Sequence, residues 1–223
     1  MNLRQFIPLH NSLVKKYHVN PVKKKIIEIS NGNVLDVGCG EKPFYKYIKD
    51  KTDEYIGFDH PDTPHDKQKI DVFGTADNLP FNSNYFDVVI LTQVIEHMED
   101  PSKTLDEIYR VLKPGGKLIL AWPFMFPVHE APRDFYRYTS YGMEYLAKQS
   151  NFSEVQINPS SGFWITVFGF LSIYLMNKSI WIYLLFYIPL LFLKGFCITM
   201  NMLDVNKKSR AKWTWNYFAV FSK

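Results

Sequence analysis

The chain has 223 residues, 47% hydrophobic and 22% charged, with a net charge of +4; that length builds one ample core, or one domain with a sizeable appendage. Two cysteines, Cys39 and Cys197, exclude a disulfide framework. Its basic ends come with no recognised nucleic-acid module, which disfavours nucleic acid as a partner.

In chain order, Met1 to Phe6 is not followed by the apolar core of a signal peptide, so cytoplasmic synthesis with reduced thiols is expected. Residues 1–30 form a basic segment, expected to be helical, in which Arg4, Lys15, Lys16, Lys23, Lys24 and Lys25 precede the first acid, Glu28. Val34-Leu35-Asp36-Val37-Gly38-Cys39-Gly40 then reads as a buried strand entering a glycine turn. Gly38 and Gly40 let main chain turn tightly and lie close to a ligand, with Asp36 near the strand's carboxyl end. The spacing lacks the third glycine of a dinucleotide fingerprint and the Lys-Ser/Thr of a P-loop. Tyr55 to Asp59, Ile70 to Phe73 and Phe86 to Leu91 are the next strands. A helix from Pro101 with core positions Leu105, Ile108 and Leu112 stops at Pro114-Gly115-Gly116, and Lys117 to Trp122 is a further strand. Strands alternating with helices predict a Rossmann-like, doubly wound, mostly parallel α/β sheet over residues 31–162. Thr139-Ser140 caps a helix through Gln149, and Phe152 to Ile157 is a strand.

Residues 163–203 break the pattern, with Lys178 and Lys194 the only charges among dense Ile, Leu, Phe, Trp and Tyr. Two arms, Phe163 to Met176 and Ile180 to Leu193, predict an apolar helical hairpin inserted before the last strand. Each 14-residue arm is about 21 Å long at ~1.5 Å per residue, short of a hydrocarbon core of ~30 Å. A single span would put the basic tail 204–223 across the membrane from the sheet, against the positive-inside tendency. A hairpin dipping into one leaflet at the cytoplasmic face is therefore expected, the alternatives being a pair packed on the domain or in a dimer interface. Residues 204–223 supply a basic connection and the last strand.

Five elements in this order resemble the class I S-adenosylmethionine (SAM)-dependent methyltransferases of the type-11 methyltransferase domain family: VLDVGCG (34–40), YIGFD (55–59), LPF (79–81), FDVVILTQVIEH (86–97) and EIYRVLKPGGKLIL (107–120). The resemblance implies SAM as cofactor. It places Asp36, Gly38, Cys39 and Gly40 at the methionine part, where Asp36 attracts the ammonium directly, through water, or merely caps the turn. Asp59 is expected to accept hydrogen bonds from both ribose hydroxyls. Relatives usually carry an aspartate facing adenine where this chain has Thr75, which leaves Thr75, Ala76 and Asp77 as the candidate adenine contacts. Gln93 is expected to line the methionine side; for it and for Glu96-His97, local capping and packing is an equally open reading. No metal is assigned.

The string Pro127 to Thr139 is similar to an HEAPxDFxRYT signature associated with surface-polysaccharide and lipid-linked glycan loci. It implies an acceptor side carrying His129 as general base, with Asp134 or Glu130 orienting it. Arg133, Arg137 and Tyr138, with Glu130, are the candidate substrate contacts, the arginines suited to a phosphate or carboxylate. An ion-pair network that only pins the loop is the competing reading. O-methylation of a lipid-linked glycan or other amphipathic acceptor is thus the leading expectation. Methylation of a quinone or small aromatic ring, and a non-catalytic binding module of the same fold, are the alternatives.

Overall fold

The computed structural model describes residues 9–223; the first eight residues of the expected basic segment lie outside the described residues. The described residues form two compact units, one of residues 22–123, 128–158 and 217–223, the other of residues 9–21, 124–127 and 159–216.

The first unit is built on a seven-stranded sheet, β1 (Gly32–Val37), β2 (Thr52–Asp59), β3 (Val72–Phe73), β4 (Phe86–Thr92), β5 (Leu112–Pro123), β6 (Glu154–Pro159) and β7 (Asn216–Ser222), in the order β3-β2-β1-β4-β5-β7-β6. The first five strands pair in parallel. Hydrogen bonds from Lys223 N to Gly116 O and from Ser153 N to Ser222 O set β7 antiparallel to both its neighbours. The reversal of strand order between β1 and β4 opens a crevice at their carboxyl ends, where such sheets bind ligands.

Continuous apolar runs make the central strands fully buried, as two-sided parallel sheets require. Val34, Val88, Ile90 and Ile119 pack with Val22 and Ile26 of a helix at Asn20–Ile29. Each such side chain contributes roughly 1.5–3 kcal/mol on burial. A helix at Pro101–Val111 starts where the Asp100 carboxylate accepts from Lys103 N at 3.0 Å, with proline in its first turn. It stops at Val111, earlier than Pro114-Gly115-Gly116, because strand β5 already begins at Leu112.

The second unit is helical: Leu9–Val14, Phe163–Lys178, Ile180–Leu185, Tyr187–Leu203 and Lys207–Lys212. Its core joins Leu9, Leu13, Ile165, Phe168, Tyr183, Leu190, Cys197 and Trp215. The expected hairpin differs in one respect, since its second arm is divided at Phe186. Pro189 has no N–H to give the preceding turn and fits only the first turn of a new helix. Among the described residues, no helix is long and apolar enough to cross a membrane.

Candidate functional site

The β1 turn is shaped by its glycines. Gly38 has φ +69°, and a Cβ there would stand 2.2 Å from Val94 Cγ2. At Gly40, φ is +49°, and its N–H donates to Asp59 Oδ2 at 2.8 Å. The other Asp59 oxygen accepts from His60 N at 2.7 Å. These bonds tie the glycine turn to the end of β2. Around it lies a cavity of about 330 Å³ lined by Asp36, Gly38, Cys39, Gly40, Glu41, Pro43, Phe44, His65 and Thr92, within the size range of small-molecule sites.

Asp36 is buried, and the Tyr55 hydroxyl donates to its Oδ2. Burial pushes its carboxyl up to about 7; the Tyr55 bond and Lys42 oppose that rise, whereas Asp59 adds to it. Burial, together with the charges of Asp36 and Asp59, raises the Cys39 thiol to about 12, so it is a neutral wall of the cavity. Lys42 instead pairs with Asp71 at 2.5 Å, and the same Asp71 oxygen accepts from Gly57 N at 2.7 Å.

The loop after β5 lies on the same sheet edge. Phe135 N and Tyr136 N donate to Glu96 O at 2.9 and 3.3 Å, and Arg133 Nη1 stands 3.5 Å from His60 Nε2. Arg137 donates with both Nη atoms to the two Asp134 oxygens at 2.6 Å. This fork holds the Asp134 carboxyl down at about 2. Asp134 Oδ2 also accepts from His129 N at 2.8 Å and stands 3.3 Å from His129 Nδ1. Burial lowers the His129 pKa, partly offset by Asp134. Beneath the loop, the Glu96 side chain is 0% exposed and neither carboxyl oxygen has a hydrogen-bond partner. Burial raises that carboxyl to about 8, against the pull of Arg137. Two imidazole nitrogens face it, His97 Nε2 at 3.7 Å and His129 Nε2 at 3.8 Å.

Residues 35–120 match the family described as the methyltransferase domain. That match spans somewhat less than half of the chain, and over it the chain is similar to the SAM-dependent methyltransferases. A curated relative, the ubiquinone biosynthesis O-methyltransferase of Pseudomonas fluorescens strain SBW25, is 26% identical over 158 residues, 65% of this chain and 63% of the relative. The chain therefore spans a little under two thirds of that relative's length. Two solved structures share the fold. A SAM-dependent methyltransferase from Archaeoglobus fulgidus has a TM-score of 0.57 at 15% identity, covering 96% of this chain and 100% of its own. Phosphoethanolamine N-methyltransferase 2 of Haemonchus contortus, solved with phosphomonomethylethanolamine and S-adenosylhomocysteine, has a TM-score of 0.54 at 16% identity, covering 96% and 52%.

SAM is the cofactor of this methyltransferase family, and the β1 cradle fits it. A Cβ at Gly38 would fill the turn, and a buried carboxylate stands beside it for an ammonium. Of the residues expected at the cofactor, Asp36, Gly38, Cys39 and Gly40 line the cavity, whereas Asp59 shapes it through Gly40 N. Thr75, Ala76, Asp77 and Gln93 are not among the lining residues. Thr75 bridges Asn78, and Asp77 pairs with Lys103 at 3.4 Å. Gln93 takes φ +56° and donates its N–H to Ala121 O at 2.8 Å. The methyltransferase loop brings His129, Asp134 and Arg137 together, and the Arg137 fork is directed at Asp134. Tyr138 buries its hydroxyl, and burial raises its pKa. Sequence reasoning missed Phe44 and His65 at the cavity, and Tyr55 as the hydrogen-bond partner of Asp36. It also missed the partnership of Glu96 and His97 with His129, for which the adjacent Glu96-His97 pair was the only local signal.

Proposed function

We propose that this methyltransferase transfers the methyl group of SAM to a hydroxyl of an amphipathic, lipid-anchored acceptor, with a lipid-linked glycan as the leading substrate. The observation that carries the reading is the shared sheet edge. The glycine-turn cavity and the 129–137 loop both stand at the carboxyl ends of β1, β2 and β4. Bound SAM supplies an electrophilic methyl on a sulfonium, a good leaving group, so positioning does much of the work. Asp36 holds the ammonium, with Tyr55 keeping its carboxylate oriented. Asp59 keeps the Gly40 turn closed and presents its oxygens to the ribose. Asp134, fixed by Arg137, sets the His129 ring, and that imidazole meets the acceptor's departing proton. Arg133, beside His60, is the cation offered to a phosphate on the acceptor.

The apolar helices support the membrane side of this reading. Trp181 and Leu185 are each 76% exposed and Phe192 is 77% exposed, with Lys178 and Lys194 on the flanking helices. Large exposed aromatics beside lysines suit an anionic bilayer surface. Replacing Trp181, Leu185 and Phe192 by serine in the full chain is expected to abolish flotation with anionic vesicles; undiminished flotation would remove the membrane contact.

One further reading has an observation behind it. The alignment with the ubiquinone biosynthesis O-methyltransferase favours a quinol, which is also a hydroxyl on a lipid tail. Transfer of labelled methyl from SAM into membrane extracts separates the two, because glycan lipids and prenyl quinols part on extraction and acid treatment. Label confined to water-soluble metabolites would sink both. Failure to bind SAM in calorimetry would leave a non-catalytic module of the same fold.

A further inference from the structure

We propose that Glu96, His97 and His129 form a binding site for one divalent transition-metal ion, of the zinc, cobalt or iron type, on the acceptor side of the methyltransferase domain. One ligand atom from each residue falls in a group within 4.8 Å of one another. Ligands about 2.0–2.1 Å from a tetrahedral ion stand ~3.4 Å apart, so the 3.7 and 3.8 Å separations from Glu96 Oε1 need a small contraction. The two imidazole ligand nitrogens, within 4.8 Å of each other, close by a rotation of the rings.

The buried carboxyl is the independent sign of a ligand. Burying an ionisable side chain without a hydrogen bond is unfavourable for the neutral acid and more so for its anion. Buried polar groups are therefore partnered in nearly all cases. Glu96 is fully buried with both oxygens unpartnered, and they face two imidazoles. A cation between them satisfies all three groups at once.

The surroundings match what metal-bound histidines require. His97 Nδ1 is hydrogen-bonded to the Arg133 carbonyl, so that nitrogen carries the proton and Nε2 presents its lone pair toward Glu96. His129 Nδ1 lies 3.3 Å from both Asp134 Oδ2 and Arg137 Nη2, and a metal on Nε2 would select the tautomer whose Nδ1–H donates to that carboxylate. The two rings meet edge to face, with centroids 5.1 Å apart. Two nitrogens and one carboxylate oxygen suit zinc or iron better than magnesium, and leave at least one coordination position open. Both histidines are half-buried, with 14% and 26% of their side chains exposed, so an ion has a path in.

In its role, though not in its existence, this site rests on the methyl-transfer reading. A hydroxyl bound at the open position would release its proton to solvent water at lower pH, because the ion would stabilise the alkoxide or phenolate that then attacks the sulfonium methyl. The ion then takes over the task assigned above to His129 Nε2, and that nitrogen becomes a ligand.

The test uses the full chain, stripped with chelator and titrated with Co2+ and Zn2+ without acceptor. One Co2+ per chain is expected, with the visible absorption of a low-coordinate nitrogen-oxygen site, displaced by Zn2+. Glu96→Gln and His97→Ala are each expected to weaken Co2+ binding by at least ~100-fold. Asp134→Asn, which reaches the site only through His129, should weaken it by ~10-fold or more and keep the absorption. SAM calorimetry on the same variants reports folding, and His129→Gln replaces any variant that fails that check. No stoichiometric uptake, equal Co2+ affinity in wild type and Glu96→Gln, or uptake of Mg2+ alone would overturn the site. Metal uptake without methyl transfer to any extract would leave the site standing and defeat the methyl-transfer reading.

Discussion

The two sides of the sheet's carboxyl edge treat buried acids in opposite ways. On the β1–β2 side, Asp36 has the Tyr55 hydroxyl, and Asp59 has the N–H groups of Gly40 and His60. On the β4 side, Glu96 is buried as deeply, neither carboxyl oxygen has a hydrogen-bond partner, and its own backbone N–H is the donor closest to hand. A carboxylate satisfied from within shapes a cradle that exists before any ligand arrives. One left unsatisfied marks a place where the partner comes from outside the chain.

The harshest way to break this comparison is to destroy the preformed cradle. Gly38→Ala forces a side chain into φ +69° and into Val94, and SAM affinity measured by calorimetry is expected to fall by ~100-fold or more, about 2.7 kcal/mol. A loss of only a few fold would show that the turn is not what holds the cofactor.

Next in size is the charge of Asp36. With its folded pKa at about 7 and an ordinary value of 3.8, the carboxyl is mostly protonated at pH 6 and mostly ionised at pH 8. If the ionised form binds the SAM ammonium, affinity weakens about tenfold from pH 8 to pH 6. Asp36→Asn is expected to bind SAM weakly with no such slope. The raised pKa also means that the folded ligand-free protein holds the proton more tightly than the unfolded chain. This group's contribution to stability is therefore complete below about pH 4 and declines as pH rises through 7. Asp36→Asn should raise Tm relative to wild type at pH 8 and not at pH 4. A wild-type affinity profile as flat as the variant's would remove Asp36 from the ammonium site.

Tyr55→Phe gives the finest test. Losing the donated hydrogen bond raises the Asp36 pKa further, so the midpoint of the SAM affinity profile moves to higher pH by about one unit or less. Affinity at pH 9 should change little. A midpoint that stays in place would show that Tyr55 is packing only.

How much of this was legible in sequence follows from the range of the forces involved. The strands around VLDVGCG and FDVVIL announce themselves because burial on both faces demands unbroken apolar runs, and the turn because positive φ demands glycine. Asp36 and the glycines are local to one strand end, so the residues that line the cavity there could be named in advance. Tyr55 could not be, since its link to Asp36 exists only through the β1–β2 register that sets Val34 against Tyr55. His97 and His129 lie far apart in sequence, and docking of the loop, through Phe135 and Tyr136 on the Glu96 carbonyl and the Arg133 carbonyl on His97, joins them. The divided second arm of the apolar helices was readable in principle from Pro189, whose missing N–H outweighed the apolar continuity around it.

The chain leaves the sheet after Pro159 and re-enters it at Asn216, and Ser160 N donates to Asn216 O at 3.0 Å across that gap. Ser161 N donates to Thr214 Oγ1 at 3.0 Å just beyond it. The apolar helices are therefore an insertion lobe of the chain between β6 and β7, closed at its ends by these bonds. In effect the connection between β6 and β7 is a hairpin that has been opened and filled. Because the strand ends stay joined whatever the lobe contains, its length and polarity are free to vary without altering the strand register.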